Sequence, residues 1–356
     1  MDITLFLASI LEQATPILLA ALAAMITMRA NILNIAIEGM MLVAAFAAIV
    51  VGQATDSAGL AIVAAIGAGV GMSLVFAFVA IVLRADFIVA GIGLNILAAG
   101  GTLFLLEQVY QDPGGLRPDA FPDLWRLPYN PLFAIPYIGP ALEQQSIVVF
   151  AALAAIPLSA FVLYRTPFGY ALRAVGESEH AAVAAGVSVP RIKISAILAS
   201  GLLAGLAGAQ LSMDKLHFFI PDMTSGRGFL GLAATLFGGS LPWGTAGAAF
   251  LFGTFGALGD RLQSFQIPPQ FVLMAPYIAA IAGIVITRLR GVMRERPAPI
   301  KGNVDHDSDA ARRTLHQLAA YDPETGPHAA TASGRAEPES MLSARKFTNT
   351  RTLGVT

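Results

Sequence analysis

The sequence predicts an all-α, polytopic membrane protein with about nine transmembrane helices, an N-terminus outside, a cytoplasmic C-terminus and a disordered C-terminal tail. Three observations predict it. The 356 residues are 56% hydrophobic and only 13% charged, with a mean hydropathy of +0.68. The apolar runs are longer than a soluble core helix needs, since a hydrocarbon core about 30 Å thick takes about 20 apolar residues per helix. Lipid admits only helices or closed barrels, so the runs are read as helices.

In chain order the predicted spans cover about residues 5–28, 35–52, 58–83, 86–107, 146–164, 191–213, 227–240, 243–260 and 268–287. The first has no basic residue before it and no cleavage-site pattern after it, so it reads as a retained helix, made imperfect by Glu12 and Pro16. Arg29, Arg84, the group Arg165, Arg173, Arg191 and Lys193, and finally Arg288, Arg290, Arg294 and Arg296 all fall on one side. Positive-inside reasoning makes that side the cytoplasm. The opposite side holds the longest connection, 108–145, whose seven prolines, Trp125 and several Tyr and Phe residues suit the outer interface.

A transmembrane domain is therefore expected over 1–290. Residues 291–356 turn to Ala, Thr, Ser, Pro, Glu and Arg, with too little aliphatic content to offset ordering entropy, and a disordered cytoplasmic tail is expected there. Small residues crowd the spans, in GIGLNILAAGG from Gly91, SGLLAGLAGAQ from Ser200 and GTAGAAFLFGTFGALG from Gly244. Close helix packing within one subunit explains them.

The segment Arg165–Lys193 is a charged island between two apolar spans. Phe168, Leu172 and Val175 recur at helical spacing beside Arg173, and Gly176 closes that helix. Ser178 is a good N-cap, Glu179 suits a first turn, alanines 181, 182, 184 and 185 are strong helix formers, and Gly186 ends the second helix. Pro190 suits the first turn of the following span. Two short cytoplasmic helices follow, serving either as a surface connector or as a docking element for a cytoplasmic motor.

Chemistry is sparse. The chain has no cysteine, so it can form neither disulfide nor thiolate metal site. Its five histidines show no metal-ligand pairing, and no GxxxxGK[ST] phosphate loop is present. No metal, cofactor or nucleic-acid partner is expected for this chain, and any ATP driving it must be hydrolysed elsewhere. Inside the spans, Glu38 is a costly carboxylate that either caps or pairs with Arg29 or a neighbouring helix end, or orders a translocation pathway. Asn34 and Asn95 are suited to bridging helices. Glu12 reads either as a pathway residue or as a kink partner to Pro16.

TPFGYALRAVGESEHAAVAAGVSVPRIK, from Thr166, resembles the coupling segment of permease subunits in ABC importers of the branched-chain amino acid and simple-sugar superfamily. NIAIEGMMLVAAFAA, from Asn34, is similar to the NIGxEGxMLxGA signature of the nucleoside-type permeases that work with basic-membrane-protein lipoproteins. GRGFLGLAATLFGGSLPWGTAGAAFLFG, from Gly226, and QIPPQFVLMAPYIAAI, from Gln266, match that branch in kind and order. Ala36 and the Gly239-Ser240 pair depart from its usual Gly and Arg.

The resemblance implies a heteromeric importer in the bacterial plasma (inner) membrane. This permease would pair with a second, homologous permease; a cytoplasmic ABC ATPase would dock on both and use the ATP, and an extracytoplasmic lipoprotein would deliver a nucleoside, a related polar solute or a simple sugar. Thr166, Gly169, Arg173, Gly176, Glu177, Ala181, Ala185 and Gly186 would then couple to the ATPase. Asn34, Glu38, Asn95, Thr235 and Phe237 would line the pathway. The competing readings are a proton-coupled secondary transporter working through Glu12 or Glu38, and a membrane scaffold.

Overall fold

Apolar length, helix-forming Ala and Leu, and well-placed caps produce eleven helices among the described residues. The computed structural model describes residues 3–262 apart from 119, 127–137, 144, 215 and 216, together with residue 278. The chain divides into Met1–Gly291 and Val292–Thr356, and the second unit lies wholly outside the described residues. So do the predicted tail and, residue 278 excepted, the predicted ninth span.

The helices are α1 (Ile3–Met28), α2 (Ile37–Thr55), α3 (Ala58–Ala77), α4 (Phe87–Leu105), α5 (Ile138–Glu143) and α6 (Ile147–Arg165). They continue as α7 (Pro167–Glu177), α8 (Glu179–Ala184), α9 (Val189–Met213), α10 (Arg227–Phe237) and α11 (Pro242–Leu262). Helices α3 and α4 each run on into a five-residue π-helical turn, Phe78–Val82 and Leu106–Tyr110. No strand occurs among the described residues, where Leu116–Phe219 and Arg126–Ser146 pair only as isolated bridges.

Among the described residues, six helical stretches are long and apolar enough to cross a membrane: α1, α2, Ala58–Val82, Phe87–Tyr110, α6 and α9. Helices α1, α2 and α9 form the centre, with a continuous buried core from Leu18 and Met25 through Met40 and Met41 to Ile197 and Ala204. Helices α3, α4 and α6 turn large side chains outward, among them Val63, Val89, Ile96 and Phe161, as a lipid-facing surface does. A side chain at Gly201 would meet Ser73 and Gly69 of α3, and one at Gly208 would meet Met41 and Ala44 of α2. The glycines of α9 thus let three helices touch backbone to backbone. Of the Gly91 stretch, only Gly91 is used this way; Gly93, Gly100 and Gly101 face open space.

The seventh predicted span departs from expectation. Helix α10 has 11 residues, about 16 Å at 1.5 Å per residue, and crosses only half of a hydrocarbon core. Gly226 opens it in the left-handed region at φ +79. Gly239, at φ +63, closes it in a Schellman arrangement: Ser240 N–H donates to Thr235 O and Gly239 N–H to Leu236 O. The preceding stretch is irregular; Phe219 stacks edge-on against Phe46 of α2 at 5.2 Å between ring centroids, and its backbone pairs with Leu116. Phe219 and Met223 are buried in one cluster with Leu42, Phe46 and Ile49 of α2. The chain therefore runs along α2 as non-helical backbone pinned by the buried Phe219, Met223 and Thr224 before α10 begins. Such backbone is tolerated at membrane depth only when protein surrounds it.

Candidate functional site

The α1–α2 connection, Arg29–Ala36, behaves as a buried strap. Asn31 ends α1 in the left-handed region at φ 58, with Ile32 N–H donating to Thr27 O in a second Schellman arrangement. Ala30, Ile32, Asn34 and Ala36 are then buried as the chain runs inward. Asn34 Nδ2 donates to Ser200 Oγ at 3.0 Å, and Ser200 lies near the middle of the 25-residue α9. From Val189 to Ser200 the helix rises about 16 Å. Helix α2 consequently starts inside the bundle, beside the middle of α9.

At that depth two helix N-termini meet on one carboxylate. Glu38 lies in the first turn of α2 and is 8% exposed. Its Oε1 accepts from Gly226 N–H at 2.7 Å and its Oε2 from Gly228 N–H at 2.6 Å, satisfying two donors that α10 cannot satisfy internally. The partial positive ends of α2 and α10 both favour that negative charge. A carboxylate at the centre of a membrane helix costs roughly 2.5–3.5 kcal/mol. Two hydrogen bonds to a charged group, each about 1.5–3 kcal/mol, offset it. A side chain at Gly228 would stand 2.6 Å from Glu38 Oε2 and 2.8 Å from its Cα, so glycine is required for this approach.

Asn95 of α4 completes the junction. Its Oδ1 accepts from Gly39 N–H at 2.9 Å, and its Nδ2 donates to Ile35 O at 3.1 Å. Asn34 Oδ1 accepts from Ala36 N–H at 3.1 Å. Asn34, Glu38 and Asn95 are therefore brought together, and apart from the Asn34–Ser200 bond their hydrogen bonds hold backbone. Thr235 and Phe237 sit elsewhere. Thr235 Oγ1 donates to Ala21 O of α1 at 2.7 Å, and Phe237 packs edge-on against Phe252 of α11 at 5.7 Å. Sequence reasoning left out Ser200, Gly226 and Gly228 as site residues. The Gly-Arg-Gly at 226–228 is the one local signal of the junction.

The island contains both short helices, held by the Ser178 cap its sequence implies and by a cap at Thr166 that the structure adds. Thr166 Oγ1 accepts from Gly169 N–H at 3.2 Å, and Ser178 Oγ accepts from Ala181 N–H at 3.3 Å. Gly186, at φ +81, closes α8. A side chain at Gly169 would strike the Val162 and Leu163 carbonyls, so α7 folds tightly back on α6. Arg173 lies over the rings of Tyr164 and Tyr170 at 5.2 and 5.0 Å. Glu179 pairs with Lys193 at 2.6 Å, fastening α8 to α9. Gly176 does not end α7, which continues to Glu177; a side chain there would strike the carbonyl oxygen of Arg29. Glu177, Ala181, Ala185 and Gly186 face outward with Val183, a surface of small side chains on α8.

No group of three or more His, Cys, Asp or Glu side chains gathers among the described residues. Residues 6–287 match the family described as branched-chain amino acid transport system / permease component. A guanosine ABC transporter permease of Bacillus subtilis, NupQ, is 35% identical over 310 residues, covering 83% of this chain and 94% of that protein. A putative glucose ABC transporter permease of Haloferax volcanii, TsgC13, is 30% identical, with 84% and 96% covered. A nucleoside ABC transporter permease of Lactococcus lactis, NupC, is 33% identical, with 78% and 90% covered. No solved structure matches the chain significantly.

Proposed function

Because the chain belongs to the branched-chain amino acid transport system / permease component family, we propose that it is the membrane-spanning subunit of an ATP-driven importer for nucleosides. The names of two of the three relatives described above favour nucleosides over sugars. A separate ATPase hydrolyses the ATP, a second permease completes the pathway, and an extracytoplasmic binding lipoprotein delivers the solute. The island end of the bundle faces the cytoplasm and receives the ATPase on the exposed face of α8.

One observation carries the mechanism: the half-helix α10 and the buried start of α2 meet inside the bundle on Glu38. Discontinuous helices inside a bundle are where transporters place their moving and binding parts. Glu38 holds the closed position of this gate by bonding two backbone N–H groups of the α10 start. Displacement of α7 by the motor shifts the strap, changes the α10 junction and exposes the pathway to alternate sides.

Reconstitution tests this reading. The chain is placed in vesicles alone, and with its partner permease, ATPase and lipoprotein, and uptake of radiolabelled guanosine is followed with ATP or with a proton gradient. ATP-dependent uptake by the full assembly alone is expected. Gradient-driven uptake by the lone chain would overturn it.

A further inference from the structure

Helix α10 is bound at both ends by one short stretch of chain. At its start, Glu38 accepts from Gly226 and Gly228 N–H. At its end, Arg29 Nε donates to Ser240 O at 2.7 Å, and Ser240 Oγ lies 3.1 Å from Met28 Sδ. The negative group stands at the positive end of the helix dipole and the positive group at the negative end. Arg29 also carries the backbone carbonyl against which Gly176 of α7 is packed, close enough to exclude any side chain at 176. One residue thus touches the island through its backbone and the end of the half-helix through its side chain.

We propose that Arg29 is a positioning residue that makes α10 follow the island, so that α7, the strap and the far end of α10 move as one piece while the Glu38 end opens. This rests on the importer reading above. Side contacts already hold α10, where Thr235 Oγ1 donates to Ala21 O of α1 and Phe237 packs on Phe252 of α11; Arg29 adds a charged link between the C-terminal turn of α10 and the strap that α7 touches. Without that link, displacement of the strap would reach the far end of α10 only through those side contacts. Sign and geometry both matter, so a lysine that keeps the charge and one donor preserves part of the link.

The test uses the complete reconstituted importer. Arg29→Ala is expected to lower solute taken up per ATP hydrolysed by about tenfold or more while ATP hydrolysis continues, and Arg29→Lys is expected to recover part of that ratio. A fold defect would instead lower both activities in parallel and would not distinguish the two substitutions by their ratio. The absence of native cysteine allows a second arm. Met28→Cys with Ser240→Cys, bridged by a short bifunctional thiol reagent, is expected to keep transport, because that contact stays closed through the cycle. Loss of transport on bridging, restored by cleaving the linker, would overturn the proposal, as would an unchanged uptake-to-ATP ratio in Arg29→Ala. Absence of ATP-dependent uptake by the unsubstituted complex would instead remove the importer reading beneath it.

Discussion

Glu38→Gln perturbs the junction with almost no change of shape. The carboxylate offers two acceptor oxygens to Gly226 and Gly228 N–H at 2.7 and 2.6 Å, whereas the amide offers one. One N–H is left buried opposite an NH2 group, at about 1–3 kcal/mol. The surviving bond falls from charge-assisted to neutral, about 1 kcal/mol more. The sum of about 2–4 kcal/mol raises the population of the released junction by roughly 30- to 700-fold. Thr224→Cys reports it, because Thr224 is fully buried next to the α10 start and the chain has no other thiol. When opening and closing outpace labelling, the labelling rate follows the open population. The introduced thiol should therefore label faster by that factor when Glu38→Gln is combined with Thr224→Cys than in the Thr224→Cys protein alone. Equal rates would refute the assignment of Glu38 as the cap that holds α10.

Gly228→Ala sets a methyl 2.6 Å from Glu38 Oε2 and should release the same junction, raising labelling of the Thr224→Cys thiol while α1, α2 and α9 stay packed; labelling unchanged from background would contradict this. Gly176→Val should drive α7 off the Arg29 carbonyl and cost most of the transport activity with insertion intact, measured as uptake normalised to membrane-inserted protein. Deleting residues 297–356 should leave uptake close to that of the full chain, since no transport role is assigned to them.

The bundle and the island were legible in the sequence for different reasons. Long apolar runs mark α1, α2, α9 and their neighbours regardless of tertiary detail. The island helices α7 and α8 follow from the stripe of Phe168, Leu172 and Val175 and from Ser178 and Gly186, local signals all, while the Thr166 cap emerged only in the structure. The half-span α10 was not legible as such. A hydropathy window adds Phe237 and its apolar neighbours to one continuous span and cannot register that Gly226 and Gly239 turn the chain at both ends. The bonds that define the junction join residues 188 and 190 positions apart, beyond any local rule. Polar residues gave partial guidance: Asn34, Glu38 and Asn95 converge, yet each is engaged with backbone. Thr235 and Phe237 lie on faces of α10 turned to α1 and α11, and sequence spacing alone could not orient that helix. Arg29 was readable as a charge marker of sidedness, whereas its contacts with Ser240 and Gly176 depend wholly on the fold.

The most direct measurement is the labelling rate of Thr224→Cys in the assembled, transporting complex, with and without ATP. If the α10 junction is the gate that the motor works, ATP turnover will change that rate in step with solute uptake. A complex that transports guanosine with ATP while the thiol at position 224 labels at one constant rate would contradict the account.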